Sequence, residues 1–238
     1  FSEEAKVRAE TMVNNLKNEL KRRIELLDWM SDVTKIKALE KLSKFKVKIG
    51  YPNKWRDYSK LELNADSYFG NIILASQYDM QFDLDQAYKP VDKDKWEMHP
   101  HQINAYYHPL LNEIVFPAGI LQKPFFSQDY DDALNYGGIG AVIGHEMTHG
   151  FDDKGRKFDS NGNMSDWWTQ EDAEKYTKKA NVIRDQFSEY KIEGESVNGE
   201  LTLGENIADL GGMTIAYYAL QEELKNKSVE KIDGYTQD

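Results

Sequence analysis

The sequence predicts an α+β fold that is mostly helical. Over long stretches of the 238-residue chain, apolar residues recur at steps of three and four, the spacing of amphipathic helices. A shorter stretch near the middle combines aromatic and β-branched residues around a turn, which is typical of a β-hairpin. The chain contains no cysteine, which excludes disulfides and thiolate metal ligands.

The amino-terminal part contains three predicted helices. The first has a single apolar face formed by Val13, Leu16, Leu20, Ile24 and Leu27. Two more helices are predicted at about residues 34–45 and 64–81. Gly50 and Pro52 end the region of the 34–45 helix. The lysines from Lys35 to Lys48 are typical of the solvated face of a helix. Residues 86–101 predict a charged loop.

The hairpin is predicted between residues 103 and 116. Residues 103–107 form its first strand, 108–112 can turn the chain, and 113–116 form its second strand before Pro117 and Gly119. Beyond it, one helix is predicted from Asp131 to Gly150.

Four glycines lie inside that helix, at positions 137, 138, 140 and 144. Each costs up to ~1 kcal/mol of helix stability relative to alanine, so we expect tight packing against another backbone. Thr169 with Asp172 predicts the start of a further helix that reaches about Tyr190. A last helix is predicted from about residue 203 to 225.

Composition excludes some partners. The formal net charge of −11 disfavours binding to nucleic-acid phosphates. No run of 18 apolar residues occurs, so no segment is expected to span a membrane. The chain begins with Phe1 in a helical pattern, and we expect it to be a piece of a longer chain. The absence of cysteine is compatible with a bacterial protein; an extracytoplasmic location is expected, with a cytoplasmic one as the alternative.

The segment His145-Glu146-Met147-Thr148-His149 matches the H-E-x-x-H pattern. Residues four apart share one helical face, so both imidazoles can bind the same zinc ion. Glu146 faces the same cavity and can take a proton from water activated by the metal. A pattern with three fixed positions also occurs by chance, but the apolar run from Tyr136 to Gly144 indicates a buried helix.

A catalytic zinc site needs a third protein ligand and one open position. No histidine follows His149, so the ligand is a carboxylate or one of His99, His101 and His108. Glu205 is the best carboxylate, because Asp209 lies one helical turn later and can accept an N–H from a ligand histidine.

At these residues the sequence resembles the neprilysin-like family of zinc endopeptidases. The matching segments lie in the expected order across about residues 100–220: Asn104–Tyr107, Val115–Leu121, Gly144–Asp153, Asp166–Trp168 and Leu203–Asp209. Asp28–Met30 and Ile49–Pro52 match less sharply. Together these segments are far more specific than H-E-x-x-H alone.

The resemblance implies a role for each matched residue. Zinc, one ion per chain, is bound by His145, His149 and Glu205. Glu146 is the general base. Asp209 and Asp152 accept N–H bonds from the ligand histidines. Asp209 is also expected to be a catalytic residue together with Glu146. The expected substrate-binding residues are Asn104 and Ala105 for the peptide backbone, and Ile120, Phe125 and Val142 for a large apolar side chain.

The resemblance also implies a thermolysin-like core, with a small sheet beside the zinc-binding helices. Residues 1–100 are then a helical lead-in and 101–238 the zinc-binding core of a partial catalytic domain. The family's helical amino-terminal lobe and its carboxy-terminal end, which carries a histidine and an arginine at the substrate, are expected to be missing.

Three hypotheses follow from these residues. The first is an endopeptidase that cleaves oligopeptides on the amino side of apolar residues. The second is a zinc-binding piece of low activity, whose partner is the missing remainder of the same enzyme. The third is a structural metal-binding module, with four protein ligands and no open position.

Overall fold

The structure is a computed structural model that describes residues 1–225, 227, 231 and 234–236. The chain divides into two compact units, one comprising residues 1–51 and 98–238 and the other residues 52–97. The helices are α1 (Glu3–Leu26), α2 (Asp32–Ser43), α3 (Tyr68–Gln86), α4 (Asp132–Asn135), α5 (Ala141–His149), α6 (Gln170–Glu189) and α7 (Leu203–Leu224). The strands are β1 (Lys46–Gly50), β2 (Tyr106–His108), β3 (Glu113–Pro117), β4 (Lys191–Ile192) and β5 (Glu195–Ser196). The predicted α+β, mostly helical class is confirmed.

Helix α1 forms one wall of the core of the larger unit. Its predicted apolar face is buried at Val13, Leu16, Leu20 and Ile24, and Leu27 packs partly buried against the same cluster. The helix begins where Ser2 accepts a hydrogen bond from the Ala5 N–H at 3.1 Å. Each fully buried side chain of this type contributes about 1.5–3 kcal/mol through removal of apolar surface from water.

A three-stranded sheet in the order β1-β3-β2 lies in the same unit. The predicted hairpin is confirmed, since β2 and β3 pair antiparallel with Tyr107 opposite Ile114. Its first strand begins at Tyr106, three residues later than predicted. Because β3 lies between the other strands, all its residues are buried, whereas β2 is an edge strand.

Strand β1 was not predicted from the sequence, and it pairs parallel to β3. The prediction of a solvated lysine face is wrong at two positions, because Lys41 is 1% exposed and Lys48 is 6% exposed. Lys48 pairs with Glu113 across the two strands at 2.8 Å. A buried lysine needs such compensation, since an unpaired charge away from water is strongly destabilising.

The predicted single helix from Asp131 to Gly150 is interrupted by a π-helical segment, Tyr136–Gly140, between α4 and α5. Within this segment the Ile139 N–H donates to the carbonyl of Phe125 at 2.8 Å. That bond takes an amide out of the helical ladder, which is a common cause of such a local widening.

Two of the glycines in this run support the expected tight packing. A Cβ on Gly144 would lie 2.6 Å from the carbonyl oxygen of Gly212 in α7, and one on Gly138 would lie 2.5 Å from that of Phe125. The expectation is wrong for Gly137, where a Cβ would meet nothing within 4 Å.

The smaller unit contains α3, which begins four residues later than predicted. At its start the Ser67 side chain accepts a hydrogen bond from the Gly70 N–H. None of its residues is buried. In the same unit the Arg56 guanidinium lies 4.1 Å from the ring centre of Phe82 and pairs with Asp79 at 2.7 Å.

The two last helices follow their predictions. The Thr169 side chain accepts from the Asp172 N–H at the start of α6, as the cap pattern indicated, and α7 begins at Leu203. Among the described residues, no helix has the length and apolar character that crossing a bilayer requires.

We predict that Gly144→Ala lowers the free energy of unfolding by about 1–3 kcal/mol, because the added methyl group collides with the α7 backbone. Gly137→Ala is the matched control, because a Cβ there would meet no atom within 4 Å. Its free energy of unfolding should stay the same or rise by up to ~1 kcal/mol. Urea unfolding followed by circular dichroism measures both. Equal effects of the two substitutions would contradict the packing described here.

Candidate metal centre

Helices α5 and α7 approach closely enough for their backbones to touch. A Cβ on Gly212 would lie 2.7 Å from the Ala141 carbonyl oxygen, and one on Gly211 would lie 2.6 Å from the Thr148 side chain. Larger residues at these positions would hold the helices apart. The approach brings the turn with His145 and His149 beside the first turns of α7, where Glu205 and Asp209 lie.

Three potential metal ligands meet at this crossing. The Nε2 atoms of His145 and His149 are 2.9 Å apart, and the Glu205 Oε2 atom lies 3.3 Å and 3.5 Å from them, respectively. For zinc bonds of about 2.05 Å, the edge of a coordination tetrahedron is about 3.3 Å. Among the described residues, these three form the group that could hold a metal ion.

Each histidine is oriented by a separate carboxylate. His145 Nδ1 lies 2.7 Å from Asp209 Oδ1, and His149 Nδ1 lies 2.7 Å from Asp152 Oδ2. A hydrogen on each Nδ1 leaves both Nε2 atoms with lone pairs, directed at one point that the Glu205 carboxylate also faces. Three converging acceptors repel one another unless a cation lies between them. The donor set therefore fits zinc.

Glu146 lies between His145 and His149 in the sequence of α5, and its carboxylate is close enough to both histidines and to Glu205 for their charges to interact. Only 7% of the residue is exposed, and its carboxylate accepts a backbone hydrogen bond from Tyr107 of β2. Burial raises the pKa of Glu146, and the neighbouring His149 and His145 only partly oppose this effect. The hydrogen bond joins the edge strand to the metal-site helix.

The alternative third ligands lie elsewhere. His99 and His101 stack on each other with ring centres 5.7 Å apart. The Nδ1 atom of His108 accepts the Leu111 N–H at 3.3 Å, within the hairpin turn. The structure thus places Glu205, and none of these three histidines, beside His145 and His149.

The expected substrate-binding residues are spread around the sheet and α5. Asn104 and Ala105 directly precede β2, and the Asn104 side chain accepts the Ala105 N–H at 2.9 Å. Ile120 is buried, Val142 packs partly buried against the core, and Phe125 is 36% exposed. Their contacts with a substrate stay predictions.

A cavity of about 270 Å³ opens beside His149 and Glu205. Its wall includes His149, Glu205, Tyr107, Phe158 and Leu201. These residues come from three stretches that are far apart in the chain, 107–109, 149–158 and 201–205, so no single local pattern links them.

Lys41 was also missed as a residue of this region. Thr34, Ala38 and Leu42 are buried on the same helix, and Lys41 lies on their face at helical spacing. This periodicity was a usable signal, but the surrounding lysines concealed it.

The family model described as peptidase family M13 matches residues 104–238, and a second model with the same description matches residues 1–52. Neprilysin-3 of Drosophila melanogaster is 40% identical over 237 residues, which make up 97% of this chain and 30% of that protein.

This chain belongs to peptidase family M13. The neprilysin-like resemblance of its motifs is thereby confirmed. Two solved M13-like structures share its fold. The zinc metalloprotease Zmp1 of Mycobacterium tuberculosis, in complex with an inhibitor, has a TM-score of 0.93 and 46% identity over 98% of this chain and 36% of that one. PepO of Lactobacillus rhamnosis has a TM-score of 0.87 and 39% identity over 92% and 35%. The chain spans about a third of the length of these relatives.

We predict that Glu205→Ala weakens zinc binding by more than about 100-fold. Removing a group that hydrogen-bonds a metal ligand typically costs 10–100-fold in metal affinity, and removing a ligand itself should cost more. Glu195→Ala, in an exposed strand, is the control and should leave zinc affinity unchanged. Zinc titration against a fluorescent chelator measures both. Full zinc affinity in Glu205→Ala would remove Glu205 from the site.

Proposed function

We propose that this chain carries the zinc centre of an M13 endopeptidase, with His145, His149 and Glu205 as the ligands. The supporting observation is the convergence of three acceptor atoms, while Asp209 and Asp152 hold the far sides of both imidazoles. Two histidines and one carboxylate leave a fourth position open, as catalysis requires.

In the proposed reaction, bound zinc supplies Lewis acidity, which polarises a peptide carbonyl and makes water acidic. Glu146 takes the proton from the attacking water and holds it at its carboxylate until the leaving amine accepts it. Its burial suits this role, because only 7% of Glu146 is exposed and the proton it holds is shielded from bulk water. The Tyr107 backbone lies next to that carboxylate.

The proposed substrate is an oligopeptide bound in extended conformation. Strand β2 is at the edge of the sheet, and its Tyr107 contacts the catalytic carboxylate through its backbone. A peptide lying along the chain at Asn104 and Ala105 would pass close to the zinc ligands, in the manner of an added strand. Val142 precedes His145 by almost one turn of α5, and with Ile120 and Phe125 it is proposed to accept an apolar side chain after the scissile bond.

Zinc binding is proposed for this chain by itself, and peptide cleavage for a protein of full M13 length. The distinction follows from the share of its relatives that the chain spans, about a third. Groups that stabilise the negatively charged oxygen formed during peptide hydrolysis lower the activation free energy by about 3–4 kcal/mol in related chemistry. The relatives have far more chain in which to carry such groups.

We predict that Glu146→Gln keeps zinc but lowers peptide hydrolysis by about 10²–10⁴-fold, since the amide cannot act as a base. Glu19→Gln is the matched control, because Glu19 is also a buried glutamate but pairs with Arg22 in α1. Cleavage of a quenched fluorescent peptide by the full-length enzyme, with zinc counted in the same samples, provides the test. Undiminished cleavage by a zinc-loaded Glu146→Gln enzyme would sink the assignment.

A further inference from the structure

Lys41 lies in α2, is 1% exposed, and has its ammonium group among backbone carbonyls. Its Nζ atom donates to the carbonyl oxygens of Gly150, Gly155 and Phe158, each at 2.7 Å. An ammonium has three N–H donors, so all of them are used. The rings of Tyr107 and Phe151 lie 5.7 Å and 5.6 Å from the same nitrogen.

These three acceptors belong to one short segment, residues 150–158, that follows the metal-site helix. Apart from a single 3₁₀ turn at Gly155–Lys157, the segment has no regular structure. The Gly155 carbonyl also accepts the Phe158 N–H, and the Phe158 carbonyl also accepts the Trp167 Nε1–H, so Lys41 adds a second donor at these two positions. Losing a donor to a buried carbonyl is costly. Lys41 fixes both ends and the middle of the segment to α2.

Asp152 lies within this segment and links it to the metal site. Its Oδ1 atom accepts the N–H groups of Lys154 and Gly155 at 2.9 Å and 2.6 Å, and its Oδ2 atom lies 2.7 Å from His149 Nδ1. Gly155 thus donates to Asp152 through its N–H and accepts from Lys41 through its carbonyl. A continuous chain of hydrogen bonds runs from Lys41 through Gly155 and Asp152 to His149.

The other ligand histidine has no such dependence. His145 is oriented by Asp209, which lies in α7. Asp209 and Asp152 therefore each orient one histidine. Asp209 does so from a regular helix, and Asp152 does so from a segment that Lys41 contacts.

We propose that Lys41 is a positioning residue of the metal site, which sets the place of Asp152 and through it the orientation of the His149 imidazole. This inference rests on the proposed zinc function of His145, His149 and Glu205. A general contribution of Lys41 to stability would act on both histidines alike, whereas the positioning role acts through Asp152 alone.

The test is a pair of double-mutant cycles on zinc affinity, measured by chelator competition with Zn²⁺ itself on samples shown to be folded by circular dichroism. Lys41→Met keeps an unbranched side chain that is one atom shorter and removes the three donors. We expect it to weaken zinc binding by about 10-fold or more, because losing the hydrogen bonds that orient a metal ligand typically has an effect of this size. In an Asp152→Asn background the further loss should be less than about 3-fold, because the same link is already broken. In an Asp209→Asn background the full 10-fold loss should persist.

Visible absorption of the Co²⁺-loaded chain gives a second readout, which should change in Lys41→Met as the imidazole reorients. If Lys41→Met does not fold, Lys41→Gln is measured in its place, since its amide can donate to two of the three carbonyls. Wild-type zinc affinity in the folded Lys41 variant, or equal losses in both aspartate backgrounds, would overturn the positioning role. Failure of the unmodified chain to bind Zn²⁺ would overturn the proposed function and with it this inference.

Discussion

The backbone contact between Gly144 of α5 and Gly212 of α7 is the constraint on which the rest of the site depends. The absence of side chains at this point lets two helices approach until atoms of their main chains touch. The contact lies within one turn of His145 and Asp209, and two turns after Glu205. A small increase in helix separation there would move a carboxylate ligand away from both imidazoles, whose Nε2 atoms it approaches at 3.3–3.5 Å.

Around this crossing, the histidines are oriented from two directions. Asp209 belongs to the same helix as the Glu205 ligand, so the packing that delivers the ligand also orients His145. Asp152 lies outside the helices, and its place depends on amide donors and on the buried Lys41 ammonium. The edge strand β2 adds a third element, because its Tyr107 backbone lies next to the Glu146 carboxylate. The proposed ligands, the proposed base and the sheet edge therefore lie within one cluster of contacts.

Much of this could be predicted because its causes are local. Helical period, the Thr169 cap and the hairpin turn each depend on residues a few positions apart, and all three are observed. The spacing of His145 and His149 likewise implies one helical face, and the four-residue step from Glu205 to Asp209 indicates a paired role. The features that were missed involve distant partners: β1 pairs with a strand more than 60 residues away, and the π-helical segment depends on the Phe125 carbonyl. Lys41 finds its acceptors beyond residue 149, so its neighbours on α2 could indicate its burial but not the groups it binds.

The most direct test of the zinc centre is a crystal structure of the zinc-loaded chain, with anomalous diffraction data collected at the zinc edge. We expect one ion, at about 2.0–2.2 Å from the Nε2 atoms of His145 and His149 and from a carboxylate oxygen of Glu205, with a position left open to solvent. An ion held instead by His99, His101 or His108, or a fourth protein ligand closing the site, would contradict it.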